Sequence, residues 1–283
     1  MSRSLTDASQ DLSEPKNGRL TGLSSATRAL RGFSRRRRLV LLALLSLYAF
    51  LWLGGVGHLL LLGSFRPEQN WITNIFLGSA GMIVLTSTTK DFYRLAGVAL
   101  LGFIFELIGV RYGVPFGEYV YTDALRPKLF GVPVVMSFAW MLLVAYVAQM
   151  LAGLRLTSRT SALVGALWMT AIDLLIDPSA ANALGYWRWT TVGVYYSIPA
   201  TNFLGWFLSS LVVFVALDSR WHANPFARLV GLSIILFFLA AALAQSFFLA
   251  AAVGLCLCLL HAQARRMTMK ANADLRYAAS SGE

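Results

Sequence analysis

The chain has 283 residues, of which 57% are hydrophobic and only 13% charged. Soluble domains carry roughly a quarter charged residues, so this composition excludes an ordinary soluble fold and points to an integral membrane protein. The formal net charge of +11 lies mostly in tails and short loops, where it signals membrane orientation and not a nucleic-acid surface.

In chain order, residues 1–38 come first. They are polar and rich in Ser, and they end in four arginines, Arg35 to Arg38. This segment reads as a disordered basic tail that anchors the first helix on the cytoplasmic side. Apolar runs long enough to cross a bilayer follow at 39–62, 71–89, 93–112, 130–152, 160–177 and 198–217. The run over 227–262 is too long for one helix and divides best near Gln245 and Ser246, which makes eight helices. With the N-terminus inside, the inner segments hold nineteen Lys and Arg. The outer ones hold five: Arg66, Arg111, Arg126, Lys128 and Arg188. The asymmetry predicts a transmembrane domain over 39–262, a C-terminal tail over 263–283, and both termini cytoplasmic. Cys256 and Cys258 share one apolar run, and His58, His222 and His261 lie in separate segments, so neither a disulfide nor a metal centre is expected.

Two links differ from ordinary connections. After the third span the chain reads GEYVYTDALRPKLFGVPVVMSFAW, and after the fifth GYWRWTTVGVYYSIPATNFLGW. Both begin Gly-x-aromatic-x-aromatic-Thr, with Gly117, Tyr119, Tyr121 and Thr122 in one and Gly185, Trp187, Trp189 and Thr190 in the other. Each then reaches a Pro seven residues before a Trp, Pro133 to Trp140 and Pro199 to Trp206. Both links fall on the outer side, so the third to sixth spans form a weak direct repeat. Alternation of aromatics at period two predicts a short hairpin in each link. Interfacial Tyr and Trp belts produce similar patterns, and that simpler explanation competes for each single aromatic.

The acids are more specific. Glu106 lies inside the third apolar run, and Asp173 and Asp177 lie four residues apart near the end of the fifth. Ionisable residues within a membrane helix are costly and mark function by default. The i,i+4 spacing puts both aspartates on one helix face. Gly102 and Gly109 leave the face around Glu106 without bulk, open to a neighbouring helix or a ligand. A purely structural carboxylate, satisfied by Arg111, Asn202 or a Trp indole, is the competing reading. The acids lie at the ends of their helices that face the aromatic links, which implies a capped, acid-bearing pocket. Carboxyls, aromatics and amides beside an apolar phase suit acid chemistry on an apolar substrate. One carboxyl protonates an alkene, aromatic faces stabilise the cation, and a second carboxylate activates water. No cofactor is required.

The run FELIGVRYGVPFGEYVYTDALRPKLFGVPVVMSFAW, together with DLLIDPSAANALGYWRWTTVGVYYSIPATNFLGW, resembles the integral-membrane carotenoid hydratases of the gamma-carotene and bisanhydrobacterioruberin hydratase type. The resemblance covers about residues 95–217, and it departs where Arg126 stands in place of an expected Gly. It implies an all-α integral membrane enzyme of about eight helices in the bacterial cell membrane, a hydro-lyase acting on carbon–oxygen bonds. Water is added to the terminal double bond of an acyclic carotenoid end, as in gamma-carotene or lycopene, to give a tertiary alcohol. Partners are then the carotenoid, water, the lipid bilayer and other carotenoid-pathway enzymes. The implied catalytic residues are Glu106, Asp173 and Asp177, with the order of acid and base open. Tyr119, Tyr121, Trp187 and Trp189 would line the cation site, and Arg111 and Asn202 would orient the carboxyls. Two rivals stand beside this reading: a transporter of a small solute, built on paired repeats, and a non-catalytic membrane subunit of a carotenoid pathway assembly.

Overall fold

The computed structural model describes residues 21–62, 70–152, 154, 156–217 and 221–280. The protein is an all-α membrane protein, and a helix occupies each of the eight spans read from the sequence. These are α2 (Arg35–Leu62), α3 (Asn70–Ser87), α4 (Phe92–Tyr112), α5 (Val135–Leu151), α6 (Ser158–Asp177), α7 (Ala200–Ala216), α8 (Pro225–Ala244) and α9 (Phe248–Ser280). Five segments, containing α2, α4, α6, α8 and α9, are long and apolar enough to cross a membrane, and the apolar helices α3, α5 and α7 are shorter. A further helix, α1 (Thr21–Arg31), lies within the segment expected to be a disordered tail. Most of that expectation, residues 1–20, falls outside the described residues, as does Arg66.

Local chemistry sets the helix ends. Asn224 caps α8 by accepting from the backbone N–H groups of Phe226 and Ala227 at 3.0 and 3.2 Å, with Pro225 in the first turn where no N–H is needed. The break between α8 and α9 falls where the sequence places it, at Gln245 and Ser246. Helix α6 does not stop at Asp177. It runs on as a π-helical turn, Pro178–Ala183, which Leu184 closes by donating to the Ser179 carbonyl at 2.8 Å. Pro178 has no N–H for the regular ladder, and π turns of this kind gather at functional sites.

Helix α5 is the hub. It packs against α3, α4, α6, α8 and α9, and its residues from Trp140 to Leu151 are all buried. Small residues let side chains press close. A Cβ at Gly102 would sit 2.3 Å from the Trp140 ring, and one at Gly109 would sit 2.8 Å from the Tyr119 hydroxyl. The bare face around Glu106 therefore receives a neighbouring helix and a link. Large apolar side chains such as Phe50, Leu61, Leu100 and Val215 stay exposed on the outside of the bundle, as lipid contact requires.

The two links meet each other. Strand β1 (Tyr119–Tyr121) pairs antiparallel with β4 (Trp187–Trp189), setting Tyr119 opposite Trp189 and Tyr121 opposite Trp187. Each link also closes a small antiparallel turn of its own. In the first, β2 (Lys128–Leu129) pairs with β3 (Val132–Pro133), and in the second Tyr195 bridges to Ile198. The hairpin expectation thus holds for the turns, while the aromatic segments pair across the repeat. The pairing has two-fold character. Thr122 N–H donates to the Tyr186 carbonyl and Thr190 N–H to the Glu118 carbonyl, both at 3.0 Å, and these are equivalent positions of the two copies. Trp140 and Trp206, equivalent again, stack with ring centroids 4.4 Å apart and planes 10° from parallel.

At the opposite end of the bundle, a polar joint links α4, α5 and α8. His222 Nδ1 lies 3.1 Å from Asp91 Oδ2, and the Asn224 backbone N–H donates to Gln149 Oε1 at 2.7 Å. These groups satisfy one another and tie the helix ends.

Candidate active site

Glu106, Asp173 and Asp177 converge beneath the β1–β4 ribbon and wall one cavity, about 20 Å³ on a water-sized measure. That is room for about one water. The acids come from α4 and α6, and each is at most 4% exposed.

Glu106 is tightly held. The Tyr119 and Tyr121 hydroxyls donate to its Oε2 at 2.5 and 2.7 Å, and the Trp140 indole donates to its Oε1 at 2.9 Å. Strand alternation explains the two tyrosines. Tyr119 and Tyr121 point to the same side of β1 and are buried, while Val120 between them is exposed. Trp140 reaches in from α5 over Gly102.

The aspartates share a different partner. One Asn202 Nδ2 donates to Asp173 Oδ2 at 2.7 Å and to Asp177 Oδ2 at 2.8 Å. The i,i+4 spacing on α6 presents both carboxyls to this one amide near the start of α7. Asp177 also accepts from the Trp187 indole at 2.7 Å. Trp189 lies on the same wall, with its Nε1 buried and making no formed hydrogen bond among the described residues. Asp173 accepts from Asn202 alone among the described side chains.

Asp173 occupies a second boundary. A larger and almost wholly apolar cavity, about 70 Å³ on the same measure, lies on its other side, and Met136, Trp187 and Trp206 border both spaces. Among the described residues, Asp173 is the carboxyl that faces both.

Most sequence candidates therefore meet here: Glu106, Asp173, Asp177, Tyr119, Tyr121, Trp187, Trp189 and Asn202 all line the cavity. Arg111 does not, and its expected role is corrected. It lies exposed in the last turn of α4 and lines neither cavity, because its position on that turn faces away from Glu106. Neutral donors, not a cation, hold the acids. Trp140, Trp206, Phe116 and Met136 belong to the site and were not expected there as lining residues. The two Trp were visible as the end of the Pro-to-Trp repeat, and Gly102 and Gly109 marked the gap that Trp140 and Phe116 fill. On the outer surface of the first link, the exposed Asp123 pairs with Arg126 at 2.8 Å and Lys128 at 3.2 Å. Hydrogen bonds from these two cations hold its carboxyl below the usual carboxylate range.

Comparison with known proteins gives this geometry a context. The bisanhydrobacterioruberin hydratase of Haloarcula japonica is 36% identical over 137 residues, which cover 44% of this chain and 45% of that protein. The chain thus spans less than half the length of that curated relative. No solved structure matches the chain. The carotenoid biosynthesis protein family matches residues 70–263, a stretch that holds every residue of the acid cavity. With the match extending over well more than half of its length, the chain belongs to the carotenoid biosynthesis protein family.

Proposed function

We propose that this protein is a carotenoid hydratase that adds water across the terminal trisubstituted double bond of an acyclic carotenoid end, such as that of gamma-carotene or lycopene. The observation that carries this reading is the position of Asp173, between a water-sized polar cavity and an apolar one. An alkene in the apolar space and a water in the polar space would meet at this carboxyl.

The Asp173 carboxyl gives its proton to the less substituted alkene carbon. The π electrons form the new C–H bond, and the positive charge falls on the tertiary carbon. Ring faces of Tyr119, Tyr121, Trp187 and Trp189, with the anionic pole of Glu106 behind them, stabilise that cation. Three donors converge on Glu106, the arrangement a carboxylate anion accepts. The water oxygen then bonds to the tertiary carbon, and its surplus proton passes to Asp177. Asp173 and Asp177 stand on adjoining turns and share Asn202, so proton exchange between them resets the site. One water is consumed and no proton is gained or lost. The product is a tertiary alcohol, and every step is carried by side chains of this chain.

Expression of this chain alone in a lycopene-producing host, in water enriched in oxygen-18, tests the proposal. A hydroxylated carotenoid carrying the label is expected. Label arriving from molecular oxygen, or a carotenoid left unchanged, would overturn it and favour a hydroxylase or a non-catalytic pathway subunit. Transport of a solute would need access to the acids from both sides of the membrane, and the larger cavity that adjoins them is apolar.

A further inference from the structure

The acid cavity is the first of three that share walls. Beyond Asp173, the apolar cavity is bounded by Leu77, Tyr186 and Phe238, and these three residues also border a third cavity of about 50 Å³ between α2, α3 and α8. Leu51 and Gly55 of α2 form its far side and are only half-buried. Trp71 and Ile75, next to it on α3, are exposed on the apolar outer surface. The three spaces therefore lead from the acids to the lipid-facing side of the bundle. Polar groups on the path are few and paired, with Thr73 Oγ1 and the Tyr186 hydroxyl 2.8 Å apart. Phe76, Phe237 and Phe238 line the third cavity.

We propose that this string of cavities is the binding track for a linear polyene chain. The reacting end sits at Asp173, the chain passes Leu77, Tyr186 and Phe238, and the remainder leaves between α2 and α3 into the bilayer. The inference rests on the reading of the acid site as a hydration centre and adds the route and selectivity. A track with apolar walls recognises a chain that carries no polar atoms. The acyclic end enters, because it carries the terminal alkene that Asp173 protonates. The other end stays in lipid and goes unread, so substrates with one ring or none at the far end are handled alike.

Two plugs test the track in the full chain, purified into phosphatidylcholine nanodiscs. A Cβ at Gly55 would stand 2.9 Å from Phe237 Cε2, so Gly55→Leu fills the mouth from α2, and Ile72→Trp fills the same outer cavity from α3 without touching the apolar cavity beside Asp173. Lycopene retained on the protein is measured by its visible absorbance. Hydration is measured separately, by oxygen-18 incorporation, for lycopene and for 2-methyl-2-heptene, a short alkene with the same trisubstituted end. Both plugs should weaken lycopene retention and lycopene turnover at least tenfold and leave turnover of the short alkene unchanged. The track is overturned if the plugged variants hold lycopene like the unaltered chain, if they lose both substrates together, or if the unaltered chain holds no lycopene. Plug-sensitive retention without any label incorporation supports the track and sinks the hydratase reading instead.

Discussion

The two halves of the internal repeat share a scaffold and differ in their chemistry. Each contributes an acid-bearing helix, a Gly-x-aromatic-x-aromatic-Thr strand and a Trp on the following helix, and the halves meet through β1, β4 and the Trp140–Trp206 stack. In the first half the strand aromatics are tyrosines, and both hydroxyls donate to Glu106. In the second they are tryptophans with one N–H each, and Trp187 donates to Asp177 at 2.7 Å. The second half carries two acids under one amide, where the first carries one acid under three donors. The duplicated frame thus holds one acid under three donors, the fixed half, and a pair under one shared amide, the adjustable half of the proposed mechanism. A fixed carboxylate suits charge stabilisation, and a pair suits proton transfer.

The largest expected effect comes from the adjustable half. Asp173→Asn keeps the shape and removes the proton, and it should lower turnover by about 10² to 10⁴-fold, the usual range for a general acid, with the variant still in the membrane. Turnover of labelled water in membranes measures it. If Glu106→Gln costs more than Asp173→Asn, the two halves have exchanged roles and the comparison is reversed. Next comes Asn202→Ala, which strips a donor from both aspartates at once. Hydrogen bonds to charged groups contribute about 1.5–3 kcal/mol each. Turnover should fall by about 10²-fold and thermal stability in detergent should drop, whereas a loss of stability with normal turnover would make Asn202 purely structural.

On the fixed half, Trp140→Phe removes one of three donors to Glu106 and keeps an aromatic on Trp206. A decrease of about tenfold in turnover is expected, smaller than for either change on the adjustable half. The ribbon itself gives a smaller and more symmetric test. Thr122 Oγ1 donates to Gly185 and Tyr186 carbonyls, and Thr190 Oγ1 donates to the Glu118 carbonyl. Thr122→Val and Thr190→Val should each destabilise by about 1 kcal/mol in thermal unfolding, the first somewhat more because its bond to the Gly185 carbonyl, at 2.6 Å, is shorter and less exposed than the 3.1 Å bond of Thr190. Asp123 gives the smallest effect. Its folded carboxyl is held below the usual range, so its ion pairs stabilise at neutral pH and that contribution is lost as pH falls through the lowered value. The pairs are exposed, so Asp123→Asn should leave turnover unchanged and unfolding nearly so.

Much of this molecule was legible in its sequence. Apolar run lengths located helices α2 to α9, five of them in segments long and apolar enough to cross a bilayer, which demands about 20 apolar residues per crossing. Acids stand out against an apolar background, and the i,i+4 spacing of Asp173 and Asp177 puts them on one helix face by itself. The paired motifs named the repeat. What the residues could not show was partner choice. Period-two alternation says which side a Tyr or Trp faces, not which strand lies opposite, so the ribbon between the links appeared only in three dimensions. Nor does charge on Arg111 say where it points. One residue along a helix turns a side chain by about 100°, and in the fold it faces outward. Trp140 became a donor to Glu106 because α5 packs against Gly102 of α4, a contact between residues 34 apart that no local pattern encodes. Composition and spacing determined that this protein lies in a membrane with buried acids. Tertiary packing decided which acid is held by three donors, which pair shares one amide, and where the apolar cavity meets them.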